Sequence, residues 1–150
     1  MSRTTARSAA MQMIFEKVSG GQGGEETLKM VYDELRANGI PGERTIGKKE
    51  PDEEDRAYIS EAFNGVLDHL DELDELIGKT AKGWSVDRMS LVDLTILRLA
   101  VWEILYNPDV PDSVSVAEAL ELTERYSDPE DKPFVNGILG TILREHEAQA

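Results

Sequence analysis

Residues 91–105 read LVDLTILRLAVWEIL, and their apolar side chains (Val92, Leu94, Ile96, Leu97, Leu99, Val101, Trp102, Ile104, Leu105) lie nearly all round a helix. An amphipathic surface helix keeps one polar face; a helix apolar on every side needs other helices around it. Ser90, with Asp93 three residues on, has the spacing of a capping box and predicts where this helix starts. Pro108 and Pro111 enclose the turn that follows it. The segment therefore predicts the centre of a helical bundle.

Working outward, every other periodic segment is helical as well, and none alternates as a strand does. The first helix is expected from about Ser2 to Val18, ending at the flexible break SGGQGG. A second, at about 25–37, should bury Leu28, Val31, Tyr32 and Leu35 and stop at Asn38-Gly39, before a loop over 39–51. A third, at about 52–77, carries Ile59, Ala62, Phe63, Val66, Leu67, Leu70, Leu73 and Ile77, with Gly78 as its stop. Ser115 and Glu118 repeat the capping-box spacing before a helix that ends near Tyr126. The loop SDPEDKP then leads to a last helix with Pro133 as its first residue. The expectation is an all-α bundle of six to seven helices in two helical subdomains, about 1–80 and 81–150, within one domain.

The last helix raises a question. In PFVNGILGTIL (133–143) the apolar pairs Phe134/Val135, Ile138/Leu139 and Ile142/Leu143 mark one face, yet Asn136-Gly137 and Gly140 interrupt the pattern. Each glycine in a helix interior costs about 1 kcal/mol against alanine. The glycines are expected to let this helix pack closely against the central one while setting Phe134 and the preceding loop at the surface. Bare backbone offered to an outside partner is the other reading.

The net charge of −14 in 150 residues argues against nonspecific binding to nucleic acid. It is unevenly spread. Residues 1–24 balance to +2, whereas 50–75 hold eleven acids against Arg56 alone. That acidic run is either a solvated helix face or a surface for a basic partner. With no cysteine, disulfides and thiolate metal sites are excluded. No signal-peptide core or membrane-length apolar run appears, so a cytoplasmic protein is expected.

Enzyme chemistry needs a constellation of residues that is missing here. Val66 and Leu143 precede His69 and His146 by three, so the Glu-x-x-His pairs of dimetal bundles are absent, as are HExxH, P-loop and GxSxG patterns. No catalytic residue, metal or cofactor is expected.

Two stretches suit RNA. Arg3, Arg7, Met11 and Phe15 follow at spacing four along the first helix, with Gln12 beside them. Guanidiniums pair with phosphates, and a ring can stack on an unpaired base. The same stripe also fits a helix with Met11 and Phe15 in its core and two solvated arginines. Near the other end, Arg125, Tyr126, Lys132 and Phe134 bring cations and aromatics around a loop entering a helix N-terminus. There the Asn136 amide could reach a base edge or a partner's backbone.

The segments ARSAAMQMIF, ILRLAVWEIL, VPDSVSVAEALELTERY and KPFVNGIL stand in the order and spacing of the NusB family, so the chain resembles these all-helical transcription antitermination factors over about its whole length. The resemblance implies pairing with NusE, a basic ribosomal protein that doubles as a transcription factor. It also implies joint binding of boxA-type leader RNA as it leaves RNA polymerase during ribosomal RNA transcription. By similarity, Arg3 and Arg7 fall in the arginine-rich, RNA-contacting start of the first helix, and Phe15 falls where a tyrosine is usual. Tyr126, Glu130 and Phe134 match the loop and helix start that complete the RNA surface, to which Gln12, Lys132 and Asn136 are added as candidates. Asp93 matches an acidic position near the partner-binding face, and Glu118 is taken with it as a partner contact.

The chain departs from the family pattern in three places. Thr4 and Thr5 stand where many members have further arginines, Pro133 replaces a frequent lysine, and Ala117 replaces an asparagine. Fewer arginines mean fewer phosphate contacts, hence weaker binding alone and more reliance on a basic partner. A protein-only helical adaptor, which keeps NusE but has lost its RNA surface, is the alternative.

Overall fold

The computed structural model describes residues 2–21, 26, 28–31, 33, 51–82 and 85–149, and among them no strand occurs. The chain divides into two compact units, Met1–Leu67 and Asp68–Ala150.

In the first unit, helix α1 (Arg3–Val18) starts at Ser2, whose Oγ accepts the Thr5 N–H at 3.0 Å. Thr5 to Met11, then Met13 and Ile14, are all buried. Ala6, Ser8, Ala9 and Ala10 keep this helix narrow enough to be surrounded. Its end is better defined than a flexible break. Gly20 takes φ +104, its N–H donates to Lys17 O at 3.1 Å, and the Gly21 N–H donates to Glu16 O at 2.8 Å. That pair of bonds is a Schellman cap, and it needs the left-handed conformation that glycine adopts without strain. Residues 26, 28–31 and 33 are helical, with Leu28 and Val31 buried as the second expected helix requires. Tyr32, Leu35, the Asn38-Gly39 stop and 39–50 lie outside the described residues.

Helix α2 (Glu53–Asp68) opens on a reciprocal cap. The Asp55 N–H donates to Asp52 Oδ1 at 2.9 Å, and the Asp52 N–H donates to Asp55 Oδ2 at 3.0 Å. Glu53, Glu54 and Asp55 place negative charge where the helix dipole favours it. The single helix expected over 52–77 is in fact two. His69, at φ −116 and ψ 19, separates α2 from α3 (Leu70–Thr80). The apolar spacing runs on across this step because Leu73 N–H still reaches His69 O at 2.9 Å, so periodicity alone does not reveal it.

The division between units falls at residues 67 and 68, so α3 belongs with the second unit. Gly78 does not stop α3. A Cβ there would stand 3.3 Å from Val86 Cγ2, so the glycine admits the 3₁₀ turn Val86–Arg88. Trp84, like Gly83, lies outside the described residues.

In the second unit, α4 (Leu91–Tyr106) is buried without interruption from Asp93 to Ile104 and packs against α3, α5 (Asp112–Tyr126) and α6 (Lys132–Gln149). The central helix is the one its composition predicts. Ser90 caps it, accepting the Asp93 N–H at 3.1 Å. The second capping box does not form. Helix α5 already starts at Asp112, and Ser115 is buried, its Oγ donating to the buried Glu103 carboxylate at 2.9 Å. Ser115 is the fourth residue of the helix, past the N-cap position, and its hydroxyl serves the core carboxylate instead.

Helix α6 buries Val135, Ile138, Leu139 and Ile142. Its glycines do not mediate close helix packing: Gly137 is exposed with nothing within 4 Å of a built Cβ, and Gly140 would meet only the tip of Arg144 at 3.4 Å. The apolar face turns inward, which leaves the intervening Asn136-Gly137 outside. Gly137→Ala should therefore raise unfolding free energy by about 0.5–1 kcal/mol, through helix propensity alone. Urea denaturation checks this, and a loss of stability would mean that the position is packed after all.

Candidate functional site

The arginine segment sits at the capped start of α1. Arg3 is exposed, with its guanidinium carbon 4.6 Å from the centroid of the Tyr58 ring. Arg7 is 3% exposed, and its guanidinium carbon lies 5.7 Å from the same centroid. Tyr58, on α2, is itself 3% exposed. The first turn of α1 carries no acidic residue to balance Arg3, so the π-face of Tyr58 supplies the negative electrostatics there. The two arginines are thus unequal. Arg7 is packed inside its unit rather than standing as a surface cation, and Arg3 is the one open to solvent. Further along, Met11 is core, while Gln12 and Phe15 are half-buried.

The second unit gathers the other candidates at the junction of α5 and α6. Tyr126, the last residue of α5, is half-buried; Glu130 is exposed on a 3₁₀ turn (Pro129–Asp131). That turn is capped by Asp128, whose Oδ1 accepts the Glu130 N–H at 2.9 Å. Lys132 pairs with Glu124 at 3.1 Å, both side chains well exposed, so the pair is weak. Phe134 is half-buried and Asn136 exposed beside it. Arg125 leans on Glu121 at 3.5 Å, and its Nη1 is buried without a partner among the described residues.

Asp93 and Glu118 part company. Glu118 is half-buried on α5, but Asp93 is 4% exposed and turned toward the turn after α5. Ser127 Oγ donates to Asp93 Oδ1 at 2.5 Å. Asp131 stands against the same carboxylate. Its hydrogen bond with Asp93, its own burial and the Asp93 charge push its pKa up to about 6. Asp93 therefore anchors the turn that carries Glu130 and Lys132, and is not a charge laid open to a partner.

Sequence reading missed Tyr58, Ser127 and Asp131. Each meets its partner only through tertiary packing, and no local spacing signals such a meeting. Among the described residues no group of three or more His, Asp or Glu side chains is placed to hold a metal, and no helix is long and apolar enough to cross a membrane.

The model of the NusB family matches residues 4–144. A transcription antitermination protein NusB of Clostridium botulinum (strain Hall) is 34% identical over 143 residues, which cover 95% of this chain and all of that one. The solved NusB of T. maritima superposes with a TM-score of 0.77 at 30% identity, covering 97% of this chain and 93% of that one. A solved complex of antitermination factors NusB and NusE with double-stranded RNA has a chain of the same fold. Its TM-score is 0.74 at 24% identity, covering 95% of this chain and 96% of that one.

Proposed function

The chain belongs to the NusB family, whose named relatives are transcription antitermination proteins, and from that premise we propose that it pairs with NusE and that the pair binds boxA-type RNA. The observation that carries this reading is the exposed guanidinium of Arg3, held at a capped helix start against an aromatic ring. Tyr126, Lys132, Phe134 and Asn136 supply, in the other unit, a ring-and-cation group suited to unpaired bases. The pair would act in the cytoplasm, on RNA leaving RNA polymerase during ribosomal RNA transcription.

Charge decides the order of assembly. At −14, the chain repels RNA and attracts a basic protein. Glu53, Glu54, Glu61, Asp68, Asp71, Glu72 and Glu75 are all exposed and strengthen that attraction. RNA affinity then depends on the basic partner, which offsets the repulsion.

The test is binding of a labelled boxA-type RNA at fixed salt, with and without equimolar NusE. Tight binding is expected only with both proteins. Arg3→Ala should weaken the ternary complex about three- to tenfold and lower its salt slope by about one. Arg7→Ala should act mainly on stability, because Arg7 is buried. A single exposed arginine on α1 is a thin RNA surface, which is what favours the second reading, a protein-only adaptor. Binding to NusE with no RNA affinity in the pair would decide for that reading.

A further inference from the structure

We propose that Tyr58 is a positioning residue for RNA recognition: its ring holds the Arg3 guanidinium in place for a phosphate, with Arg7 at the same ring. This inference rests on the RNA-binding reading above. Tyr58 belongs to α2 and the arginines to α1, so the contact couples two helices of the first unit. The ring is 3% exposed and therefore fixed by packing, whereas Arg3 is exposed and would otherwise sample many rotamers. With its guanidinium carbon 4.6 Å from the ring centroid, Arg3 lies within the range where the ring quadrupole attracts a cation.

Three features make this more than incidental packing. First, Arg3 stands in the first helical turn, where the macrodipole repels cations, and no acid in that turn relieves it. The π-face supplies the relief. Second, Arg7 at 5.7 Å is buried, so the same ring keeps a second positive charge behind the exposed one. Third, a guanidinium that lies against a ring keeps its donor edge free, so it can bind a phosphate while still in contact with the ring. Ordering Arg3 before the RNA arrives lowers the entropic cost of binding.

The experiment measures boxA-type RNA affinity of the complex with NusE for wild type, Tyr58→Phe, Tyr58→Leu, Arg3→Met and the Arg3→Met/Tyr58→Leu double variant. Thermal melts of each report folding. Tyr58→Leu keeps an apolar filler but loses the π-face, and should weaken binding about three- to tenfold, while Tyr58→Phe stays within about twofold of wild type. In the Arg3→Met background, Tyr58→Leu should have little further effect, since the cation it positions is gone.

An equal loss in both backgrounds would overturn the proposal and leave Tyr58 a merely structural residue. So would unchanged binding by Tyr58→Leu. No RNA binding by the wild-type pair would instead overturn the function on which the inference rests. A measurement without RNA tests the contact itself: the Arg3 δ-methylene protons should be shifted upfield by the Tyr58 ring current and return to ordinary values in Tyr58→Leu. Absence of that shift in the wild type would overturn the proposal directly.

Discussion

Asp74→Ala should lower the unfolding free energy of the protein by about 3 kcal/mol. Asp74 on α3 takes two hydrogen bonds from Arg98 on α4, from Nε at 2.7 Å and from Nη2 at 2.8 Å. The Arg98 side chain is 6% exposed and Asp74 26%. Such a bidentate pair is geometrically specific, and removing its anion leaves a guanidinium buried and uncompensated. Arg98 has no reserve, since its Nη1 already lacks a partner among the described residues. The partial exposure of Asp74 lets water reach the vacated site, which keeps the loss at the lower end of the range for buried pairs.

For a chain of this size the corresponding fall in melting temperature is roughly 6–12 °C. The double variant Asp74→Leu/Arg98→Met should recover much of the loss, because it removes the stranded charge as well as the bond. Urea denaturation of the three variants provides the test. A loss below about 1 kcal/mol would place the pair among exposed ion pairs of little consequence.

The second large effect is on pH dependence. Asp131 has its pKa raised from 3.8 to about 6, first by its hydrogen bond with Asp93, then by burial and by the Asp93 charge. The folded state therefore holds a proton that the unfolded chain gives up. Stability from this group is fully present below about pH 4 and is lost as the pH rises through 6. Asp131→Asn keeps a donor for Asp93 and cannot ionise. Relative to that variant, the wild type should lose stability on the order of 1 kcal/mol between pH 4.5 and 7.5, the half-buried site being partly screened by solvent.

Comparing wild type with variant isolates this pair from the other acids, whose mutual repulsion also eases at low pH. Parallel stability–pH curves for the two proteins would show that Asp93 and Asp131 share no proton. Because Asp131 lies in the turn that bears Glu130, the same variant should also hold that turn more firmly at neutral pH.

Much of the fold is legible in residue order. The all-round apolarity of 91–105 places α4 at the centre of its unit, and Ser90 marks its start. Apolar spacing finds α1, α2, α5 and α6 because burial imposes the helical period on the residues that fill the core. The failures share a cause. His69 breaks a helix without disturbing its period, Gly78 admits Val86, and Ser115 lies inside its helix and answers Glu103 across a helix interface rather than capping. In each case a local pattern looks the same whether its partner lies four residues away or on another helix.

The candidate site divides in the same way. Composition and spacing by themselves determine that this chain is helical and acidic overall with a locally basic start, and they offer Arg3, Arg7, Tyr126, Lys132 and Phe134 as groups suited to RNA. Tertiary structure alone decides that Arg3 is open while Arg7 is buried, that Tyr58 stands against both, and that Asp93 is anchored to Ser127 and Asp131. It also decides that Asn136-Gly137 faces outward. The physical reason is that periodicity encodes which face of a helix is buried, whereas exposure, ion pairing and proton sharing depend on what a neighbouring helix brings to that face.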